Sequence, residues 1–216
     1  MGLTDLSFTP TEYILLNGDK FAPESSGPNK LSLLCSDGMV DGATLAKLIC
    51  VGAILANEEE GALTLHLEQN KKMFGLKETT RLVIRPTGRP SNWNGFTLET
   101  AVLFVCTQAY AVPGDYSVKN IVYNIVAQDR PRPWEKIIEL VEGGLASSNW
   151  LMPVTGEAAA AFLTPYICPP KVRDLAFAQP AAPVMNLLMN CKKVRPEIWK
   201  QLTGEISAAF EERVSE

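Results

Sequence analysis

The chain has 216 residues, a length at which one hydrophobic core can stabilise the fold without disulfides or bound metals. Hydrophobic residues make up 46% of the sequence and charged residues 20%, which excludes a disordered or fibrous protein. The formal net charge of −4 provides no overall basic surface of the kind that nucleic-acid-binding proteins use, so we expect no nucleic-acid partner.

The cysteines and the longest apolar stretches predict a soluble, cytoplasmic protein. The five cysteines include no Cys-x-x-Cys pair and are expected to be reduced structural thiols. The first ten residues lack the basic segment and apolar core of a secretory signal. Stretches 43–56 and 98–112 are shorter than the roughly 20 residues that a bilayer span requires. The cysteines are Cys35, Cys50, Cys106, Cys168 and Cys191.

The first strong helix signal follows Ser36-Asp37-Gly38, which is expected to start the helix. Apolar residues then recur at spacings of three and four, and Gly52 is expected to end the helix. Residues 53–56 predict a strand, residues 57–61 a polar turn, and the alternating pattern of residues 62–68 a second strand. This order of helix, strand, turn and strand is typical of a winged-helix unit.

A second copy of this order is predicted farther along the chain. Prolines precede an amphipathic helix over residues 134–142, and Gly143-Gly144 are expected to end it. Residues 145–152 then predict a second hairpin with its turn at 147–149. The expected fold class is therefore mainly α: one compact helical domain over residues 1–216 with two winged-helix-like helix-hairpin units.

Two further helices are predicted between these copies. Thr97 can cap a helix over residues 98–110, which is apolar on nearly all sides and is expected at the centre of the core. Ser117 can cap a helix over residues 118–126. The other predictions are a connection over 75–95, a helix of small residues over 156–163, a largely irregular proline-rich stretch over 165–183 and a final helix over 196–214.

The sequence contains no recognisable catalytic or metal-binding motif. His66 is the only histidine and is expected at the surface of a strand. Glu58-Glu59-Glu60 lie at a predicted turn without the alternating spacing that wraps a cation. No glycine-rich phosphate loop and no nucleophile elbow occurs. We therefore expect no enzyme activity, no metal and no cofactor.

Four residues near the helix of the second predicted unit, residues 134–142, are candidates for binding. Arg130 and Arg132 directly precede the helix, where the free N–H groups and the helix dipole favour a phosphate group; the alternative is that both are solvated loop charges. Trp150 and Leu151 lie at the predicted hairpin and are candidates for membrane contact, because indole favours a half-wet boundary. The alternative for Trp150 is core packing.

The segment from Gly38 to Leu55, Gly-Met-Val-Asp-Gly-Ala-Thr-Leu-Ala-Lys-Leu-Ile-Cys-Val-Gly-Ala-Ile-Leu, is similar to the glycine, Leu-x-x-Leu and Gly-x-Ile signature of the Golgi phosphoprotein 3-like family. The predicted helices at 97–110 and 117–127, and the Leu-Val-Glu-Gly-Gly-Leu motif at 140–145, match the order of elements in that family. The resemblance covers roughly residues 5–155.

This resemblance implies a mostly helical domain that binds phosphatidylinositol 4-phosphate in a shallow basic pocket and docks on cytosolic membranes. Eukaryotic members act as trafficking adaptors for Golgi enzymes. The family's pocket uses a tryptophan ahead of the first helix and several arginines. Here no tryptophan precedes Trp93, Val51 stands where the family has an arginine, and only Arg130 and Arg132 have counterparts before the second motif.

The leading hypothesis from the sequence is a non-enzymatic peripheral membrane module with a trafficking or adaptor role. Its expected ligand is a phosphoinositide or another anionic lipid headgroup, with cytoplasmic location and peripheral membrane association. The alternative is a winged-helix-like scaffold for protein interaction, and the acidic net charge disfavours DNA as its partner.

Overall fold

Helices dominate the computed structural model, which describes residues 2–71, 78–93, 95–111, 115–126, 131–154 and 166–215 and confirms the prediction of a mainly α fold. The α-helices of these residues are α1 (Pro10–Leu16), α2 (Gly42–Glu59), α3 (Leu98–Ala111), α4 (Val118–Ile125), α5 (Glu135–Ser147), α6 (Pro170–Ala178), α7 (Ala182–Val194) and α8 (Pro196–Ser215). The strands are β1 (Lys30–Ser32), β2 (Met39–Asp41), β3 (Leu63–Lys71), β4 (Glu78–Pro86), β5 (Met152–Pro153) and β6 (Tyr166–Ile167), paired antiparallel as β1–β2, β3–β4 and β5–β6.

The central helix, α2, contacts α1, α3, α5, α7 and α8, and its limits differ from the prediction. It starts after Asp41, whose carboxylate accepts a hydrogen bond from the Thr44 N–H at 2.8 Å, so the predicted start at residues 36–38 is wrong. The predicted end at Gly52 is also wrong. A Cβ atom at Gly52 would lie 2.8 Å from Cδ1 of Ile14, so this glycine allows α1 and α2 to approach closely.

The predicted first hairpin has a different first strand. Residues 53–56 are fully buried and form part of the last turns of α2, because a short buried apolar run fits a helix as well as a strand. The hairpin instead joins β3 and β4, with the register running from Leu63 opposite Pro86 to Lys71 opposite Glu78. Strand β3 was predicted, whereas β4 falls in the segment expected to be a connection.

The second predicted unit changes in the same way, because α5 does not end at Gly143-Gly144. A Cβ at Gly144 would collide with the Phe96 carbonyl oxygen, so this glycine lets α5 contact the backbone that leads into α3. Leu145 is consequently a buried helical residue. A helix followed by a pair of antiparallel strands does occur twice, but the paired strands are formed by other residues than predicted. The winged-helix-like units are therefore not confirmed.

Both predicted caps are confirmed. Thr97 Oγ1 accepts from the Thr100 N–H at 3.2 Å, and Ser117 Oγ accepts from the Asn120 N–H at 3.3 Å. Helix α3 is only partly central, since Phe104 on its outer side is 62% exposed. Among the described side chains of α3, the buried ones are Leu98, Glu99, Val102 and Cys106.

The C-terminal third is more helical than the sequence predicts. The predicted helix over 156–163 lies outside the described residues. The stretch expected to be irregular contains β6, α6 and the first residues of α7, while the final helix is confirmed as α8. The Glu205 carboxylate on α8 accepts hydrogen bonds from the N–H groups of Leu82 at 2.5 Å and Lys119 at 3.1 Å, which ties α8 to β4 and to the start of α4.

A disulfide joins Cys35 to Cys168, so the prediction of reduced thiols is wrong for this pair. Residues 133 positions apart become neighbours only in the folded chain, and the sequence carries no local signal for their pairing. Cys50, Cys106 and Cys191 are free and buried, and burial raises the pKa of each thiol. The main hydrophobic cluster extends from Phe8 to Phe210, and a small second cluster contains Leu3, Ala56 and Trp93.

Candidate functional site

The predicted phosphate-binding residues precede α5. Arg130 lies outside the described residues. Arg132 is exposed, and its Nε atom forms an ion pair with the Glu135 carboxylate at 3.0 Å. The guanidinium lies 5.9 Å from the centroid of the Trp134 ring. The ion pair uses Nε, and no described residue forms an ion pair with the terminal nitrogens of Arg132, so these can donate to an anionic ligand, although Glu135 balances part of the charge.

The backbone at the start of α5 offers fewer hydrogen-bond donors than a free helix end. The N–H groups of residues 135–137 each donate to the carbonyl oxygen three residues earlier, at 3.0–3.1 Å. These bonds use donors that would otherwise point at an anion. An anion at this position would therefore be held by the Arg132 side chain rather than by the helix end.

The two other candidate residues differ in exposure. Trp150 is half-buried, and its ring packs edge to face against Phe8 with centroids 5.1 Å apart. Leu151 is 3% exposed and belongs to the core, which excludes its side chain from membrane contact in this fold. Trp134 is also buried, against Gly42 of α2, and Val51 is fully buried in the same helix.

The structure does not bring Arg132 and Trp150 into one pocket. They flank opposite ends of α5, whose 13 residues span roughly 20 Å at about 1.5 Å per residue. A cavity of about 220 Å³ next to Trp150 is lined by residues that include Phe8, Thr9, Glu12 and Ser148. Its described lining has no lysine or arginine, so this cavity lacks the charge that a headgroup phosphate requires.

A larger cleft, of about 880 Å³, lies between the end of α2 and α7, and sequence reasoning missed it. We call it the acidic cleft, because Glu58, Glu59 and Glu60 line it together with Asn186 and Asn190. Arg195 neutralises one of these acids through a two-pronged pair with Glu58, at 2.8 and 2.6 Å. The remaining negative charge opposes the binding of anions here.

Three buried carboxyl groups have perturbed acidity. Burial raises the pKa of Glu99 to about 7, although its oxygens accept from both the N–H and the hydroxyl of Thr11 at 2.9 Å. Burial and the charge of Glu139 raise the pKa of Glu142 to about 7. Burial also raises the pKa of Glu12, which accepts from the Thr9 N–H at 2.8 Å. Glu12 and Glu99 have structural roles: Glu12 forms a capping box with Thr9 at the start of α1, and Glu99 on α3 binds Thr11 on α1.

His66 lies on the exposed side of β3, where its Nε2 is 2.9 Å from Thr64 Oγ1. Among the residues that the structure describes, no group of three or more His, Cys, Asp or Glu side chains is arranged to hold a metal ion.

Charge is distributed unevenly along the chain. Residues 166–200 contain six Lys or Arg against two Asp or Glu, whereas the other residues contain 14 against 22. The structure places this cationic segment in β6, α6, α7 and the start of α8. Its cations are Lys171, Arg173, Lys192, Lys193, Arg195 and Lys200. A count of charged residues segment by segment would have identified this region from the sequence, whereas the net charge of the whole chain does not show it.

None of the helices in the described ranges is long and apolar enough to cross a bilayer. No protein-family model, no curated protein and no solved structure matches the chain.

Proposed function

We propose that the chain is a non-enzymatic module that associates peripherally with membranes by binding anionic lipid headgroups, with phosphorylated inositol lipids preferred. The observation that carries this proposal is the excess of four cations in residues 166–200 of a chain whose net charge is −4. The sequence resemblance to the Golgi phosphoprotein 3-like family supports the same function.

The size of the electrostatic contribution limits how such a module binds. Each Lys or Arg near an anionic surface contributes about 1 kcal/mol. Because Arg195 is already paired with Glu58, an excess of three cations remains and contributes roughly 3 kcal/mol. That free energy corresponds to a dissociation constant of about 6 mM. Charge alone therefore gives weak association, and stable binding needs specific phosphate contacts or inserted apolar side chains as well.

Arg132 supplies one candidate for a specific phosphate contact. It is exposed and keeps its terminal guanidinium nitrogens outside the pair with Glu135. The guanidinium fork suits a phosphate better than a lysine does, because it can donate two parallel hydrogen bonds. Arg130 stands two residues earlier in the sequence and would add a second charge.

The test is co-sedimentation with vesicles of phosphatidylcholine alone, with added phosphatidylserine, and with added phosphatidylinositol 4-phosphate. We expect binding to both anionic vesicles, strongest with the inositol lipid. The Arg130→Ala/Arg132→Ala variant should lose that preference by at least fivefold, whereas Lys30→Ala/Lys47→Ala, which removes the same charge elsewhere, should keep it. Equal binding of the wild-type protein to neutral and anionic vesicles would refute the proposal.

A further inference from the structure

Helix α7 has one side that is exposed to solvent in part. Met185 and Met189 are each 36% exposed, and Lys192 and Lys193 are exposed as well. The spacings between these four residues place them within roughly 100° of arc around the helix. The buried side of α7 is a different one and carries Val184, Leu188 and Cys191. We call the first four residues the α7 outer face.

The α7 outer face combines apolar and cationic groups. Helix α7 contains no aspartate or glutamate, and its two lysines stand in the last turn, where the helix dipole favours positive charge. Lys192 Nζ lies 6.0 Å from the centroid of the Trp199 ring, and neither lysine has an ion-pair partner among the described residues. The dipole explains lysines at this end, but it does not explain two exposed methionines on the same side.

We propose that the α7 outer face is the surface that contacts an anionic bilayer, with the lysines at the lipid phosphates and the methionines in the acyl boundary. This inference rests on the proposed function and names the face that performs it. A helix with one apolar and cationic side lies in the plane of the interface with that side toward the lipid. The unbranched methionine side chain adapts to an irregular apolar environment.

The neighbouring acidic cleft determines how α7 is oriented on the membrane. Asn186 and Asn190 follow the outer face around the helix and line the cleft together with Glu59 and Glu60. Because these carboxylates repel an anionic surface, the bound protein is expected to turn the cleft toward water. The cationic outer face and the acidic cleft beside it therefore favour one orientation, and this charge complementarity favours a bilayer as the occupant of the outer face.

Two double variants test the α7 outer face in the vesicle assay. Lys192→Glu/Lys193→Glu and Met185→Ser/Met189→Ser are each expected to weaken binding to phosphatidylserine vesicles at least tenfold. Lys30→Glu/Lys47→Glu and Phe104→Ser are the matched controls, since they make the same kinds of change on other elements, and they should keep the wild-type affinity. All substituted methionines and lysines of α7 are exposed, so thermal melting should confirm that both variants are folded.

Methionine oxidation measures the contact between the α7 outer face and the bilayer in the wild-type protein, without any substitution. Peroxide should oxidise Met185 and Met189 more slowly when phosphatidylserine vesicles are present, as measured by mass spectrometry. Met39 is 45% exposed on β2 and serves as the internal reference that should not change. Unchanged oxidation of both α7 methionines on bound protein, or unchanged affinity of both variants, would overturn this inference while the proposed function stands. Failure of the wild-type protein to bind any anionic vesicle would overturn both.

If the inositol lipid alone supports binding, and Arg130→Ala/Arg132→Ala abolishes it while both α7 variants bind normally, the contact lies at the start of α5. That result would overturn the assignment to α7. If an acidic protein captures the chain through the lysines while vesicles do not, the outer face is a protein-binding surface and the bilayer assignment is wrong.

Discussion

Replacing Glu99 by glutamine is expected to make the stability of the protein less sensitive to a rise in pH from 5 to 8. Glu99 is fully buried, and burial raises its pKa from an ordinary value of 4.5 to about 7. The unfolded chain releases this proton near pH 4.5, whereas the folded protein retains it until about pH 7. The free energy of unfolding therefore falls as the pH rises through this window and levels off above pH 7.

The magnitude follows from the two pKa values. At about 1.4 kcal/mol per pKa unit, the ionisation of Glu99 costs the folded protein roughly 3 kcal/mol at high pH, of which about 2.5 kcal/mol is lost between pH 5 and pH 8. Glutamine keeps the contacts of this site, because its oxygen can accept from the Thr11 N–H and its amide can donate to the Thr11 hydroxyl. Relative to wild type, the variant should therefore gain about 2.5 kcal/mol between pH 5 and pH 8.

Urea denaturation at pH 5, 6, 7 and 8, followed by circular dichroism, measures this difference. Glu142, whose pKa is also raised to about 7, contributes the same trend to both proteins and cancels in the comparison. Glu59→Gln, at an exposed position, is the control for replacing one carboxylate by an amide. Parallel stability profiles of wild type and Glu99→Gln across these pH values would refute the reasoning, since they would mean that Glu99 has the same charge at both ends of the range.

Three other substitutions test the fold. Cys35→Ser removes the disulfide to Cys168 and should lower the free energy of unfolding by roughly 2–5 kcal/mol, because the bond closes a loop of 133 residues. Urea denaturation measures this loss, and equal stability of the wild-type protein with and without reductant would contradict the prediction. Asp41→Ala removes the cap of α2 and should cost about 1 kcal/mol in the same assay, and a loss below about 0.3 kcal/mol would show that the cap is dispensable. Gly144→Ala should lower the free energy of unfolding by about 1–3 kcal/mol because the added methyl group collides with the Phe96 carbonyl, whereas Gly143→Ala, with open space around it, should be neutral or stabilising. Similar melting temperatures for the two variants would argue against the close contact between Gly144 and Phe96.

Local signals predicted the elements whose ends are determined by neighbouring residues. The caps at Thr97 and Ser117 and the final amphipathic helix are found in the structure as the sequence indicates. The helix ends predicted at glycines were wrong for a physical reason. Gly52 and Gly144 permit the close approach of a distant segment, and the local sequence contains no information about that segment. A glycine that ends a helix and one that lets two helices touch look alike locally.

The candidate surfaces were predictable to different degrees. Arg132 is exposed at the start of a helix, as its position between Pro131 and Pro133 suggests, but its pairing with Glu135 reduces its charge. Helix α7 was not predicted because of the prolines around its start, although Pro183 stands in the first helical turn, where proline is tolerated. The lysines at the end of α7 and the apolar spacing from Val184 to Cys191 carry the signal that would have identified it.

The bond between Cys35 and Cys168 turns most of the chain into a covalent ring from which only the two end segments leave. A single protease cut inside the ring leaves both products joined, so the nicked protein runs as one species on a gel until a thiol reductant is added. A cut before Cys35 or after Cys168 releases a fragment under either condition. The pattern of bands with and without reductant therefore identifies which side of the ring a protease has reached, before any fragment is sequenced.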